Sequence, residues 1–205
     1  MDNKKSNSSL QYIIDECDKV HCTLAIRCSQ LNNLTNMIKL EKFTESDFDN
    51  LISWIKSEEE LNQFAGPIFS FPLTTEQLNK YVSMTDKEPF KIILEETKET
   101  IGHCELNHEN GNNRLSRILI GEQSSRSKGY GKIVVAKMVA MLFEKRDVKE
   151  VDLNVFDWNL GAIKCYENVG FNIDPENSKT QIVNGKTWTS LHMTMNRNNW
   201  LQQCT

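Results

Sequence analysis

The sequence predicts a mixed α/β fold, in which a mostly antiparallel twisted sheet is flanked by helices on both sides. Three observations predict it. Apolar runs of strand length at 90–96, 101–107, 115–121 and 151–156 are interspersed with runs of helical period. Turn signals at 97–100, 110–113 and Asn184-Gly185 separate apolar runs closely enough for hairpins, and hence for antiparallel pairing. The run ending at Gly121 leads through a glycine-containing loop into an amphipathic stretch, 133–143, that contains neither glycine nor proline.

In chain order, residues 1–9 are polar. Leu10, Ile13, Ile14 and Cys17 then share one face of a short helix. Residues 20–28 alternate like a strand, yet Leu24, Cys28 and Leu31 also suit a helix, and 31–36 reads as a linker. A first strand is expected at 38–43. Thr44-Glu45-Ser46-Asp47 is a capping-box-like helix start, and Phe48, Leu51, Ile52 and Ile55 mark its buried face. Gly66-Pro67 breaks the chain, and Pro72 to Thr75 lead into a second helix with Leu78, Tyr81 and Val82 inward. Between these helices lies an aromatic loop with Phe64, Phe69 and Phe71. After the glycine loop and its helix come a strand at 151–156, a helix opening at Asn159, and a closing hairpin of 180–183 with 187–195. The division expected is an N-terminal extension, 1–36, followed by one domain, 37–205.

Composition narrows the function classes. A chain of 205 residues with 39% hydrophobic residues suits one soluble domain with a sizeable core. The net charge of −4 argues against a general nucleic-acid binder. No apolar run approaches a membrane span and the N-terminus lacks a signal-peptide core, so the expected location is cytoplasmic. The cysteines at 17, 22, 28, 104, 165 and 204 include no C-x-x-C pair. Cys17, Cys22, Cys28 and His21 fit no common zinc spacing, so free thiols and no metal are expected.

Chemistry concentrates in 126–132, Arg126-Ser127-Lys128-Gly129-Tyr130-Gly131-Lys132. Gly129 and Gly131 let the backbone approach a ligand, and the following helix directs its unpaired N–H groups into the loop. Arg126, Lys128 and Lys132 add three cations, so the turn suits a pyrophosphate. Ile133 after Lys132 excludes a Walker A loop, and Val134 stands where a dinucleotide-binding turn would place its third glycine. A second stretch follows the next strand: Asn159, Ala162, Tyr166, Gly170 and Phe171 in the spacing N-x-x-A-x-x-x-Y-x-x-x-G-F.

With Arg126, Gly129 and Gly131 in the spacing R-x-x-G-x-G, these residues resemble the GNAT family of N-acetyltransferases over about 37–197. The RimJ/RimL-like branch is the nearest in pattern, also through the last strand at 188–195. The resemblance implies a sheet splayed after the strand that precedes the glycine loop, with acetyl-CoA in the cleft. The reaction implied is acetyl transfer to a primary amine, on a small molecule or a protein N-terminus, by direct attack in a ternary complex. Backbone groups of Leu119, Ile120 and Gly121 would hold the pantetheine, and those of Ser127 to Lys132 the pyrophosphate. Ser127 departs from a position that is often glycine in the family. Tyr166 would protonate the leaving thiolate, since a phenol of pKa about 10 keeps its proton at neutral pH; otherwise it is a tyrosine packed on the sheet. Asn159 would bond the pantetheine or cap its helix.

For the base, alternation places Glu105 with His103 and Asn107 on one strand face, and burial there would raise its pKa. Glu122, or a chain of water molecules, is the alternative, while His103 and His108 read as structural or exposed. A monomer or homodimer is expected. The competing reading is a non-catalytic acyl-CoA-binding or interaction module.

Overall fold

The computed structural model describes residues 36–145, 147–183 and 185–203. The helix expected at 10–17, the ambiguous 20–28 run and most of the 31–36 linker lie outside these residues, as do His21, Cys17, Cys22, Cys28 and Cys204.

Seven strands form one sheet in the order β1-β2-β3-β4-β5-β7-β6. They are β1 (Ile38–Lys42), β2 (Lys87–Leu94), β3 (Thr100–Asn107), β4 (Arg114–Ile120), β5 (Glu150–Phe156), β6 (Asn172–Val183) and β7 (Lys186–Asn196). Every neighbouring pair is antiparallel except β4–β5, which is parallel and joined only at Arg114↔Asp152 and Leu115↔Leu153. Beyond Leu115 the two strands part.

The helices are α1 (Phe48–Trp54), α2 (Glu58–Ala65), α3 (Thr75–Val82), α4 (Tyr130–Glu144), α5 (Leu160–Glu167) and α6 (Arg197–Gln203). Alternation along β3 sorts the interior onto two faces. Cys104 and Leu106 join the cluster built by Val134, Val135, Met138, Val139 and Leu142 of α4. His103 and Glu105 turn to Tyr81, in the second cluster formed by α1 to α3 with Phe43. α4 contains four β-branched residues between 133 and 139, a modest helix sequence by propensity. Burial of its apolar face decides the matter.

The Thr44 capping box is present, with the Thr44 N–H donating to Asp47 Oδ2 at 2.9 Å. Two elements were not expected. α2 has only Leu61 fully inside, but its start was signalled by Ser57, whose hydroxyl accepts from Glu60 N–H at 3.1 Å. α6 is anchored by buried Trp200. β6 is much longer than the expected 180–183 and runs from Asn172, with a register shift between Asp174 and Lys179.

Candidate acyl-transfer site

The parting of β4 and β5 opens a cleft of about 520 Å³. Ile118, Leu119, Ile120 and Arg126 line one side, with Asn159 and Tyr166 of the α5 segment facing them. Trp54 and Phe64 wall it from α1 and α2, and Ser116, Asn154, Gln181 and Ser190 lend neutral polar groups. The expected aromatic loop divides: Phe64 lines the cleft, Phe69 is buried edge-on against Tyr81 at 5.3 Å, and Phe71 is exposed.

The glycine loop enters α4 with Gly129 as N-cap at φ +83°. A Cβ added at Gly129 would meet nothing within 4 Å, so the space over the loop is open. Ser127 adopts φ +59°, the left-handed region that explains why glycine suits this position. The first-turn amides of α4 have no carbonyl partner within the helix, apart from the Lys132 N–H, which donates to the Gly129 carbonyl at 3.1 Å. Lys128 and Lys132 are exposed beside them. Arg126 folds back on the strand end. Its Nε donates to the Ile120 carbonyl and its Nη2 to the Gly121 carbonyl, each at 3.0 Å.

The backbone groups of Leu119, Ile120 and Gly121, expected to hold the pantetheine, divide between the two sides of β4. The Gly121 N–H donates to the Ile101 carbonyl at 2.9 Å, which turns it toward β3. Leu119 directs its carbonyl at Gly102, where an added Cβ would lie 2.1 Å from that oxygen. Strand alternation then points the backbone of Ile120, and of Ile118, into the cleft. Gly121 has another reason to be glycine: the Trp54 indole lies 2.0 Å from where its Cβ would be.

Tyr166 lies in the last turn of α5, with its ring 6.2 Å from that of Phe171. Burial pushes its pKa above the usual phenol value, so the hydroxyl stays protonated at neutral pH. Asn159 is the N-cap of α5, its Oδ1 accepting from Ala162 N–H at 3.3 Å, and it also lines the cleft.

Glu105, the expected base, lies on β3 and is not among the residues that line the cleft. The face is as alternation foretold and burial raises its pKa, opposed by the neighbouring Arg117 charge. Yet its side chain is fully buried and both oxygens are occupied. The Tyr81 hydroxyl donates to Oε2 and Arg117 Nη1 to Oε1, each at 2.5 Å. Glu122 is exposed and accepts from the Ser124 hydroxyl at 3.3 Å. His108 pairs with Glu88 at 2.9 Å, and His103 is buried. Among the described residues no cluster of His, Cys, Asp or Glu is placed to hold a metal ion.

The residues present fit an extended thioester cosubstrate with a pyrophosphate: an open helix N-terminus with flanking cations, a strand edge beyond Leu115 that β5 does not pair, and a phenol across the cleft. Sequence reading missed Trp54, Glu60, Arg117, Asn154, Gln181 and Ser190. Glu60 was reachable through the Ser57 cap signal, whereas Trp54 is brought in by the docking of α1 and the others converge only through the sheet.

The fold matches solved N-acetyltransferases. Spermidine N-acetyltransferase from Vibrio cholerae, in complex with CoA and spermine, superposes with a TM-score of 0.66 at 17% identity, over 80% of this chain and 98% of that one. The aminoglycoside acetyltransferase AAC(6')-Ib, with coenzyme A and kanamycin, superposes at 0.62 with 21% identity, over 82% and 99%. Residues 38–172 match the family described as acetyltransferase (GNAT) domain, so the chain belongs to the GNAT acetyltransferase family.

Proposed function

We propose that this chain is an acetyl-CoA-dependent N-acetyltransferase whose acceptor is a primary amine, on a small molecule or at a protein N-terminus. The observation that carries the reading is the β4–β5 cleft, with the glycine loop at one end and Tyr166 across from the part of β4 that β5 does not pair. When bound, acetyl-CoA supplies an activated acyl group on a thiol leaving group. Backbone amides from Lys128 to Gly131, with Lys128 and Lys132, hold its pyrophosphate. Tyr166 gives its proton to the departing thiolate. Asn159 fixes the start of α5 and so the orientation of Tyr166. The amine must arrive neutral. Because Glu105 is sealed behind its own partners, water in the open cleft is the route for the amine proton.

The cleft wall is polar: Glu60 is the one carboxylate among its described lining residues, and its cations are Arg126, Arg114, which is paired with Asp152, and Arg117, which is paired with Glu105. Such a wall suits an acceptor with one amine and several hydrogen-bonding groups. A protein N-terminus, the acceptor suggested by the RimJ/RimL-like pattern, meets that description. The polyamine and aminoglycoside named for the solved relatives are the alternatives. A monomer or homodimer in the cytoplasm is consistent with this role.

The test is calorimetric titration with acetyl-CoA, followed by thiol detection with a panel of peptides, polyamines and aminoglycosides. Saturable binding with thiol release supports the enzyme. Binding with no release for any amine favours a non-catalytic acyl-CoA-binding module.

A further inference from the structure

A buried polar cluster lies beneath the point where β4 leaves β5, and the transfer chemistry above leaves it without a task. Its members are Tyr81 of α3, His103 and Glu105 of β3, and Arg117 of β4. Glu105 is fully inside and bonds Tyr81 through one oxygen and Arg117 through the other. The Arg117 side chain is 10% exposed, and its guanidinium sits 5.6 Å from the Tyr81 ring centroid. A single bond joins it to Glu105, and its Nε has no hydrogen-bond partner among the described residues. His103 grips the same residue by its backbone. A carbonyl can only accept, so His103 Nδ1 carries the proton and donates to the Arg117 carbonyl at 3.1 Å. Phe43 and Phe64 pack edge-on against that imidazole, at 4.8 and 5.4 Å.

The backbone at Arg117 is what the cluster grips. Arg117 has φ +49°, a left-handed value that arginine rarely adopts. Opposite the step from His103 to Glu105 on β3, β4 runs from Leu119 to Ser116, one residue more. This is a β-bulge, which bends a strand and re-aims the groups after it. The last β4–β5 pair, Leu115↔Leu153, comes just before it. The bulge therefore marks where the cleft opens, and it fixes which amides of Ile118 and Ile120 face the cleft.

We infer that Tyr81, Glu105 and His103 hold Arg117, and through it the β4 bulge, so that the free strand edge meets the thioester in the orientation that transfer needs. Glu105 and Arg117 are then positioning residues. Clamping one residue by its side chain and its carbonyl restrains both of its backbone dihedrals. The same contacts key the acceptor wall to the bulge, since Tyr81 belongs to α3 and Phe64 to α2.

The inference rests on the acetyl-transfer reading, and the experiment separates the two. Glu105→Gln, Arg117→Met and the double variant are compared with the parent. The measurements are thermal unfolding, kcat, KM for acetyl-CoA, the pH profile of kcat/KM, and the amide NMR shifts of Ile118 and Ile120 without ligand. Expected are a 10- to 100-fold loss of kcat in each single variant, no greater loss in the double, an unmoved pH profile, and matching shift changes at Ile118 and Ile120. Arg117→Met with parental kcat and shifts overturns the inference. So does a Glu105→Gln loss accompanied by disappearance of a pH limb while Arg117→Met stays active, because Glu105 would then be the base. If neither single variant folds, Arg117→Lys decides: it keeps the charge but shortens the reach, and parental rate and shifts in it overturn the inference. If the parent acetylates no amine, the functional reading fails, and the NMR shifts still decide what the cluster does.

Discussion

At the residue scale, two side chains carry distinct predictions. Tyr166→Phe removes the proton donor and little volume. It is expected to lower kcat by about 100-fold or more while leaving the acetyl-CoA dissociation constant nearly unchanged. Equal turnover in the variant, read by thiol release, would remove Tyr166 from the acid role. His103 is held neutral, its pKa lowered by burial from 6.5 to about 4. A depressed folded-state pKa means that the unfolded chain binds more protons between those values. The contribution of His103 is therefore fully present above pH 6.5 and is lost as pH falls toward 4, on the order of 3 kcal/mol in all. His103→Asn keeps a donor near the Arg117 carbonyl but cannot titrate. Urea unfolding from pH 7 to 4 should show a shallower acid loss in that variant than in the parent.

At the element scale, the turns and pairings that shape the cleft are the sensitive points. Gly129 caps α4 at φ +83°, so Gly129→Ala should destabilise by about 1 kcal/mol and weaken acetyl-CoA binding, as calorimetry would report. Ser127→Gly, at φ +59°, removes strain but adds freedom to the unfolded chain. Its stability should change by less than about 1 kcal/mol. At Gly102 the β4 backbone leaves no room for a side chain on β3. Gly102→Ala would set a Cβ 2.1 Å from the Leu119 carbonyl oxygen, and the strands must shift. A loss of about 1–3 kcal/mol in urea unfolding is expected, with acetyl-CoA affinity falling too, because the Ile120 edge moves with β4.

At the scale of the whole molecule, the cosubstrate should bind across the sheet and both helix layers and couple to global stability. At 100 times the dissociation constant, acetyl-CoA should add about 2.7 kcal/mol. For a protein of this size that corresponds to a rise in Tm of roughly 5–10 °C. An unchanged Tm at saturation would mean that the glycine loop does not hold the ligand in the folded state.

What the sequence determined by itself is local chemistry and period. Gly129 and Gly131 before a glycine-free apolar run marked the loop and α4. The Asn159 to Phe171 spacing marked α5, and alternation placed His103 and Glu105 on one face. These depend on neighbours in the chain, so they are legible there. What only the tertiary structure decided is which groups are spent before a ligand arrives. The Gly121 N–H and the Leu119 carbonyl face β3, Arg126 folds onto the end of β4, and Glu105 is consumed by Tyr81 and Arg117, 24 and 12 residues away. The bulge at Arg117 has no signature in residue type, since arginine is no turn former and its left-handed φ is imposed from outside. The physical reason is range: propensity and period act over a few residues, whereas a buried carboxylate takes its role from whatever partner the sheet brings within hydrogen-bond distance.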